Sequence, residues 1–174
     1  MNRLLQAMLA QRDESQVANL SRFFKTGKGQ YGEGDLFLGI KVPVTRAVVK
    51  QEWQNVTLDD LEECITSAYH EVRLAALLTL VKIFHKAKHS LETRQRCVDF
   101  YLSHTAYINN WDLVDLSCYE ILGTWLLRET YKQDSARLRE FLGTRYQTMP
   151  RTMLRYAIEK FPEEERKAYL KGTV

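Results

Sequence analysis

From Asn2 onward the chain is a succession of stretches whose apolar residues recur three and four apart. No segment convincingly alternates with the period of two that a half-buried strand needs. Glu71 to His85 (EVRLAALLTLVKIFH) is the most apolar of these stretches and is expected to be the most buried helix. Only 8 glycines and 3 prolines punctuate 174 residues, which serves strands and tight turns poorly. The pattern predicts an all-α chain of eight to eleven short helices joined by short loops. From Pro43 onward the helices fall into antiparallel pairs with a repeat near the ~40–47 residues of helical-repeat proteins. The expected architecture is an alpha-solenoid of stacked pairs with one concave face.

The chain fits one domain, 1–174. Residues 1–24 hold two amphipathic stretches, marked by Leu4, Leu5, Met8 and Leu9, then Val17, Leu20, Phe23 and Phe24, with Asp13 or Ser15 as cap between them. Residues 25–42 form a Gly/Lys loop, and 43–174 the repeats. GKGQYGEG superficially looks like a phosphate cradle. It lacks the Gly-Lys-Ser/Thr ending and no strand precedes it, so no nucleotide cofactor is expected there. Pro43 reads as a first-turn proline, with Val44, Ala47, Val48 and Trp53 inward. Thr57 caps the next helix, and Ser90 starts another whose inward face is read as Leu91, Cys97, Val98, Tyr101 and Leu102. Later helices are expected over 135–146, 150–161 and 162–171.

Net charge is +3, unevenly spread. Residues 126–174 carry 11 basic and 7 acidic groups, and Ser21 to Lys50 six basic against two acidic. Two basic regions around a near-neutral middle fit a polyanion, although an ordinary solvated surface explains so small a surplus equally well. Three widely spaced cysteines, Cys64, Cys97 and Cys118, form no zinc pattern and suggest reduced thiols in a cytoplasmic protein. No signal peptide or membrane-length apolar run is apparent. His85 and His89 are four apart, but Lys86 and Lys88 repel a cation and no third ligand is near, so no metal is expected. His70 and His104 read as loop or helix-end residues.

Asn109-Asn110-Trp111-Asp112-Leu113-Val114-Asp115 opens like a helix, with Asn109 or Asn110 as cap and Asp112 in the first turn, where negative charge suits the dipole. Trp111 and Asp115 share a face at helical spacing. If the helix runs through Gly123, then Cys118, Leu122 and Trp125 fall on or beside the same stripe. Asp115 is the one charge on it, and a buried carboxylate is costly unless paired or used. On spacing alone the simpler reading is an ion pair with an Arg of a neighbouring helix, with both Trp in the core.

Several stretches together resemble the DNA alkylation repair family of bacterial DNA glycosylases, the AlkD-like group built from HEAT-like repeats. They are Phe24–Asp35 (FKTGKGQYGEGD), Leu38-Gly39-Ile40 with Pro43-x-x-Arg46, Glu71–Leu77 (EVRLAAL), Asn109–Asp115 (NNWDLVD) and Thr148–Lys160 (TMPRTMLRYAIEK). The resemblance implies removal of cationic N3- or N7-alkylated purines from double-stranded DNA by cleavage of the N-glycosidic bond. Trp111 and Asp115 match the family's active-site Trp and Asp. Trp125 and Arg128, in Trp125-Leu126-Leu127-Arg128-Glu129, resemble a later motif that supplies a second pocket Trp, although Trp125 also reads as the end of the first helix. Lys25, Lys28, Arg46, Arg128, Arg151 and Arg155 are the expected DNA contacts, and a monomer without cofactor is the expected state. The resemblance further implies a helical pair between the two Trp motifs, carrying an Arg that helps line the cleft. Here only Leu116 to Thr124 separates them, so roughly one repeat of ~40 residues is absent.

The chemistry suits that inventory. A cationic alkylpurine is already a good leaving group, so the general acid of ordinary glycosidases is dispensable. One carboxylate can stabilise the developing oxocarbenium, and indole faces can hold a cationic base. Two alternatives stand beside the glycosylase: a DNA-binding relative that lost catalysis with the lost repeat, and a helical-repeat scaffold for another protein.

Overall fold

The computed structural model describes residues 2–30, 32–125, 162–164 and 167. Every regular element among them is helical: α1 (Arg3–Leu9), α2 (Glu14–Phe23), α3 (Val42–Glu52), α4 (Leu58–Ile65), α5 (His70–Lys86), α6 (Leu91–Ser103) and α7 (Trp111–Asp115), with short 3-10 turns at Trp53–Asn55 and Thr105–Tyr107 and a π-helical segment at Tyr119–Gly123. One isolated parallel bridge joins Leu36 to Tyr69, and no sheet forms among the described residues. The chain divides into two compact units, Met1–Leu113 and Val114–Val174.

Within the first unit, α1, α3, α4 and α6 all pack on α5. Residues 70–80 of α5 are buried without a gap, as befits the helix on which the others pack. Leu74, Leu77 and Leu80 are essentially inaccessible to solvent, and each contributes about 1.5–3 kcal/mol of transfer free energy. Local signals set the ends. Asn2 caps α1 by accepting from the amides of Leu4 and Leu5, and its Nδ2 donates to the Asp60 carbonyl, tying α1 to α4. Asp13 caps α2. Thr57 and Asp60 form a reciprocal capping box at α4. Ser90 caps α6, and Pro43 sits in the first turn of α3.

The loop between α2 and α3 is built onto α5 by one side chain. Glu71 is buried, and its carboxylate accepts from the amides of Leu38, Gly39 and Ile40 at 2.9–3.1 Å. Gly39 has φ +85°, and a Cβ there would lie 1.9 Å from the Asp13 carbonyl oxygen, so no other residue fits.

Several faces differ from the sequence expectation. α2 has no fully buried residue, and Phe23 is 60% exposed. α3 turns Thr45, Val48 and Val49 inward, leaving Val44 and Ala47 exposed, and Leu91 of α6 is exposed too. The periodicity identifies an apolar stripe, but the position of the neighbouring helices decides which edge of it is covered. The helix opened by Trp111 does not run as one α-helix through Gly123. It ends at Asp115, turns at Leu116 and Ser117, and continues as the π segment, where wider winding breaks a stripe counted at 3.6 residues per turn. All three cysteines are free and buried.

Candidate functional site

The end of α2 determines how two adjacent phenylalanines part company. The amide of Thr26 bonds to the Ser21 carbonyl and that of Lys25 to the Arg22 carbonyl, with Lys25 in the left-handed region at φ +52°. This is a Schellman ending with lysine where glycine is usual. It leaves Phe23 and Lys25 exposed and Phe24 buried.

Trp111 rests on this corner. Its ring lies 5.8 Å from that of Phe24 at 24° and meets the edge of Phe23 at 6.1 Å and 65°. With 48% of its surface exposed, Trp111 offers an indole face to solvent while Phe24 backs it. Phe24 stacks on Phe37 at 5.3 Å, and both lie against the imidazole of His70, at 4.6 and 4.9 Å.

Below the rings is a buried ionic cluster. His70, Asp35, Arg73 and Asp112 each have side chains no more than 5% exposed. His70 Nε2 is 2.8 Å from Asp112 Oδ2 and Nδ1 is 3.4 Å from Asp35 Oδ2. Arg73 Nη2 lies 2.8 Å from Asp35 Oδ1 and donates to Asn109 Oδ1 at 3.2 Å, while Nη1 donates to the Ser67 carbonyl at 2.9 Å. Asn109 Nδ2 completes the ring to Asp35 Oδ1 at 3.0 Å. Burial alone would raise the Asp35 carboxyl; hydrogen bonds from His70 and Asn109 and the Arg73 charge outweigh it and hold the pKa at about 2. For His70, burial disfavours the cation, but Asp112 and Asp35 outweigh burial and the pKa is raised.

Of the sequence-derived site residues, Trp111 is brought into this constellation. Lys25, Lys28 and Arg46 are exposed, the first two on the loop and the third on α3. In the second unit Asp115 is half-buried and Trp125 is buried. Asp115 makes no ion pair among the described residues; the buried carboxylates that do so are Asp35 and Asp112. Arg128, Arg151 and Arg155 lie outside the described residues. From sequence, His70 reads as a loop or helix-end residue, and it does open α5; Asp35 and Arg73 lie in the stretches that carry the resemblance without a role of their own, and Asp112 has only a dipole role. One signal was available: three polar residues, His70, Glu71 and Arg73, open the most apolar helix, where each needs a partner. No group of three or more metal-ligating side chains occurs among the described residues.

A half-exposed indole backed by a buried ring is able to stack on a flat, electron-poor group. The family profile of DNA alkylation repair enzymes matches residues 4–125 and 124–161, and the chain belongs to that family. The two matched pieces meet at Thr124 and Trp125, where this sequence brings its two Trp motifs together. No curated protein and no solved structure matches the chain. Among the described residues no helix is long and apolar enough to cross a membrane.

Proposed function

We propose that the protein is a DNA glycosylase that excises cationic N3- or N7-alkylated purines from double-stranded DNA. The observation that carries this reading is Trp111: a large aromatic face left half-exposed in a DNA alkylation repair enzyme and backed by a buried ring. An indole face attracts a cationic purine more than a neutral one, which separates damaged from undamaged base. Asp115 closes the short helix that Trp111 opens. Its carboxylate stabilises positive charge on the sugar as the N-glycosidic bond breaks and orients the water that attacks the anomeric carbon. The base leaves neutral, so no proton donor is required. Trp125 is assigned, on the resemblance of its motif, as a second aromatic contact to the base. Lys25, Lys28, Arg46, Arg128, Arg151 and Arg155 are assigned to DNA phosphates, and the protein is assigned to the cytoplasm as a monomer.

The decisive measurement is release of free alkylpurine from a methylated duplex by the full chain, with Trp111→Ala as the comparison. Release by the native chain and its loss in the variant support the reading. Salt-dependent DNA binding with no release points to the second reading, a DNA-binding member without catalysis. The two-piece family match at Thr124 and Trp125, together with the short spacing of the Trp motifs, specifically favours that alternative.

A further inference from the structure

The cluster under Trp111 contains a group that the chemistry above does not use. His70 has both ring nitrogens turned to carboxylate oxygens, Asp112 Oδ2 on one side and Asp35 Oδ2 on the other. Ionised carboxylates only accept hydrogen bonds, and only the imidazolium has two N–H donors, so the geometry fits the protonated ring. The charge count agrees. Asp35 and Asp112 are negative and Arg73 positive, so a neutral His70 leaves one uncompensated negative charge in a site shut off from water, whereas a protonated one balances it. Asp112 depends on this bond in particular, because its other oxygen, Oδ1, is buried with no partner among the described residues. The rings of Phe24 and Phe37, both within 5 Å, add two π-faces suited to a cation.

We propose that His70 is the positioning residue of the Trp111 face: as an imidazolium held between Asp35 and Asp112, it fixes the plane of the indole through Asp112, the next residue in α7, and through the ring of Phe24. Two separate connections converge on Trp111 from one buried ring. The first runs through the backbone of α7, anchored by Asp112. The second runs through the stack of His70 on Phe24 and Phe24 on Trp111. The groups facing His70 are Asp35 from the α2–α3 loop, Asp112 from α7, and Arg73 from its own helix, with neutral Asn109 closing the ring. Loss of the proton leaves one N–H for two carboxylates: the ring can keep its donor to Asp112 only by turning a lone pair on Asp35, so it is no longer clamped from both sides and its hold on Asp112 and on Phe24 loosens. Because Asp112 and Asp35 outweigh burial, His70 gives up its proton at a higher pH than an ordinary histidine. The inference rests on the glycosylase reading for its effect on rate but not for its effect on Trp111.

The test uses the full chain with 15N-labelled histidine and 5-fluorotryptophan, the Trp111 resonance being assigned with Trp111→Phe. At pH 6 both nitrogens of His70 are expected to carry protons, and a neutral ring there overturns the proposal. As pH rises, the Trp111 fluorine line is expected to shift or broaden in step with loss of the His70 proton. A Trp111 line unmoved through that titration overturns it as well, and this arm needs no variant to fold. In His70→Gln the step is expected to vanish, with the line already displaced at pH 6. In base-release assays the same variant is expected to lose on the order of tenfold to a hundredfold in single-turnover rate, with DNA affinity kept, because a small misplacement costs rate more than binding. A rate loss matched by an equal loss of affinity makes His70 a merely structural residue. If the native chain releases no base, the glycosylase reading falls, while the nitrogen and fluorine spectra still decide the role of His70.

Discussion

Glu71 gives the sharpest quantitative test of how the site's loop is held. Its Oε1 accepts from Leu38, Gly39 and Ile40 at 3.1, 2.9 and 3.1 Å, and Oε2 accepts from Leu38 at 3.0 Å. Glu71→Ala strips three buried amides of their acceptor at once. At about 1–3 kcal/mol for each unsatisfied group, partly relieved by water entering the space, a loss of about 3–5 kcal/mol is expected. Glu71→Gln behaves differently. Its oxygen at the Oε1 position keeps three bonds, while its NH2 faces the Leu38 amide, donor against donor. The expected cost is about 1.5–3 kcal/mol, the range for losing a hydrogen bond to a charged group. Urea unfolding of the full chain ranks the variants, and amide hydrogen exchange at Leu38 to Ile40 localises the effect. Protection there should fall in Gln and vanish in Ala. An Ala variant within 1 kcal/mol of the native chain, or a Gln variant costing more than Ala, refutes the reasoning.

Further outcomes follow from the same contacts. Asp35 has a depressed carboxyl pKa, so its stabilisation is fully present above its unfolded value near 3.8 and is lost as pH falls through about 2. Acid unfolding of Asp35→Asn should therefore lose its steepness over that window, and an unchanged acid limb contradicts the cluster. Lys25→Gly should stabilise the chain by about 1 kcal/mol by relieving the left-handed backbone. If Lys25 contacts phosphate, the same change weakens DNA binding, so higher melting temperature with lower affinity is the signature sought. Alanine at Lys28, Arg46, Arg151 or Arg155 should weaken binding to all sequences and flatten the salt slope by about one unit per lost contact; an unaltered slope removes that residue from the DNA face. Asp115→Asn should cut base release by about a hundredfold or more with melting temperature nearly unchanged, whereas a large drop in melting temperature marks a structural ion-pair partner instead.

What could be read from the sequence divides along the range of the forces involved. Helices and their starts depend on residues within one turn of each other, and Asp13, Pro43, Thr57 and Ser90 each act where their local chemistry puts them. Helix faces depend on neighbours, which is why Phe23, Val44 and Leu91 look inward by periodicity and are exposed in the fold. The ionic cluster depends on partners far away in sequence: His70 meets Asp35 across 35 residues and Asp112 across 42. Nothing within a window of a helix turn couples those three. Asp112 illustrates the consequence. Beside Trp111 in a first turn it satisfies a dipole argument completely, so a local reading has no reason to look further. Burial supplies the reason, because an aspartate only 3% exposed cannot rest on the dipole of a five-residue helix. The same logic explains why spacing alone puts Trp111 in the core, whereas it is half-exposed in the fold. Its exposed face is set by Phe24, whose burial in turn requires the left-handed Lys25, and a lysine carries no sequence mark for that conformation.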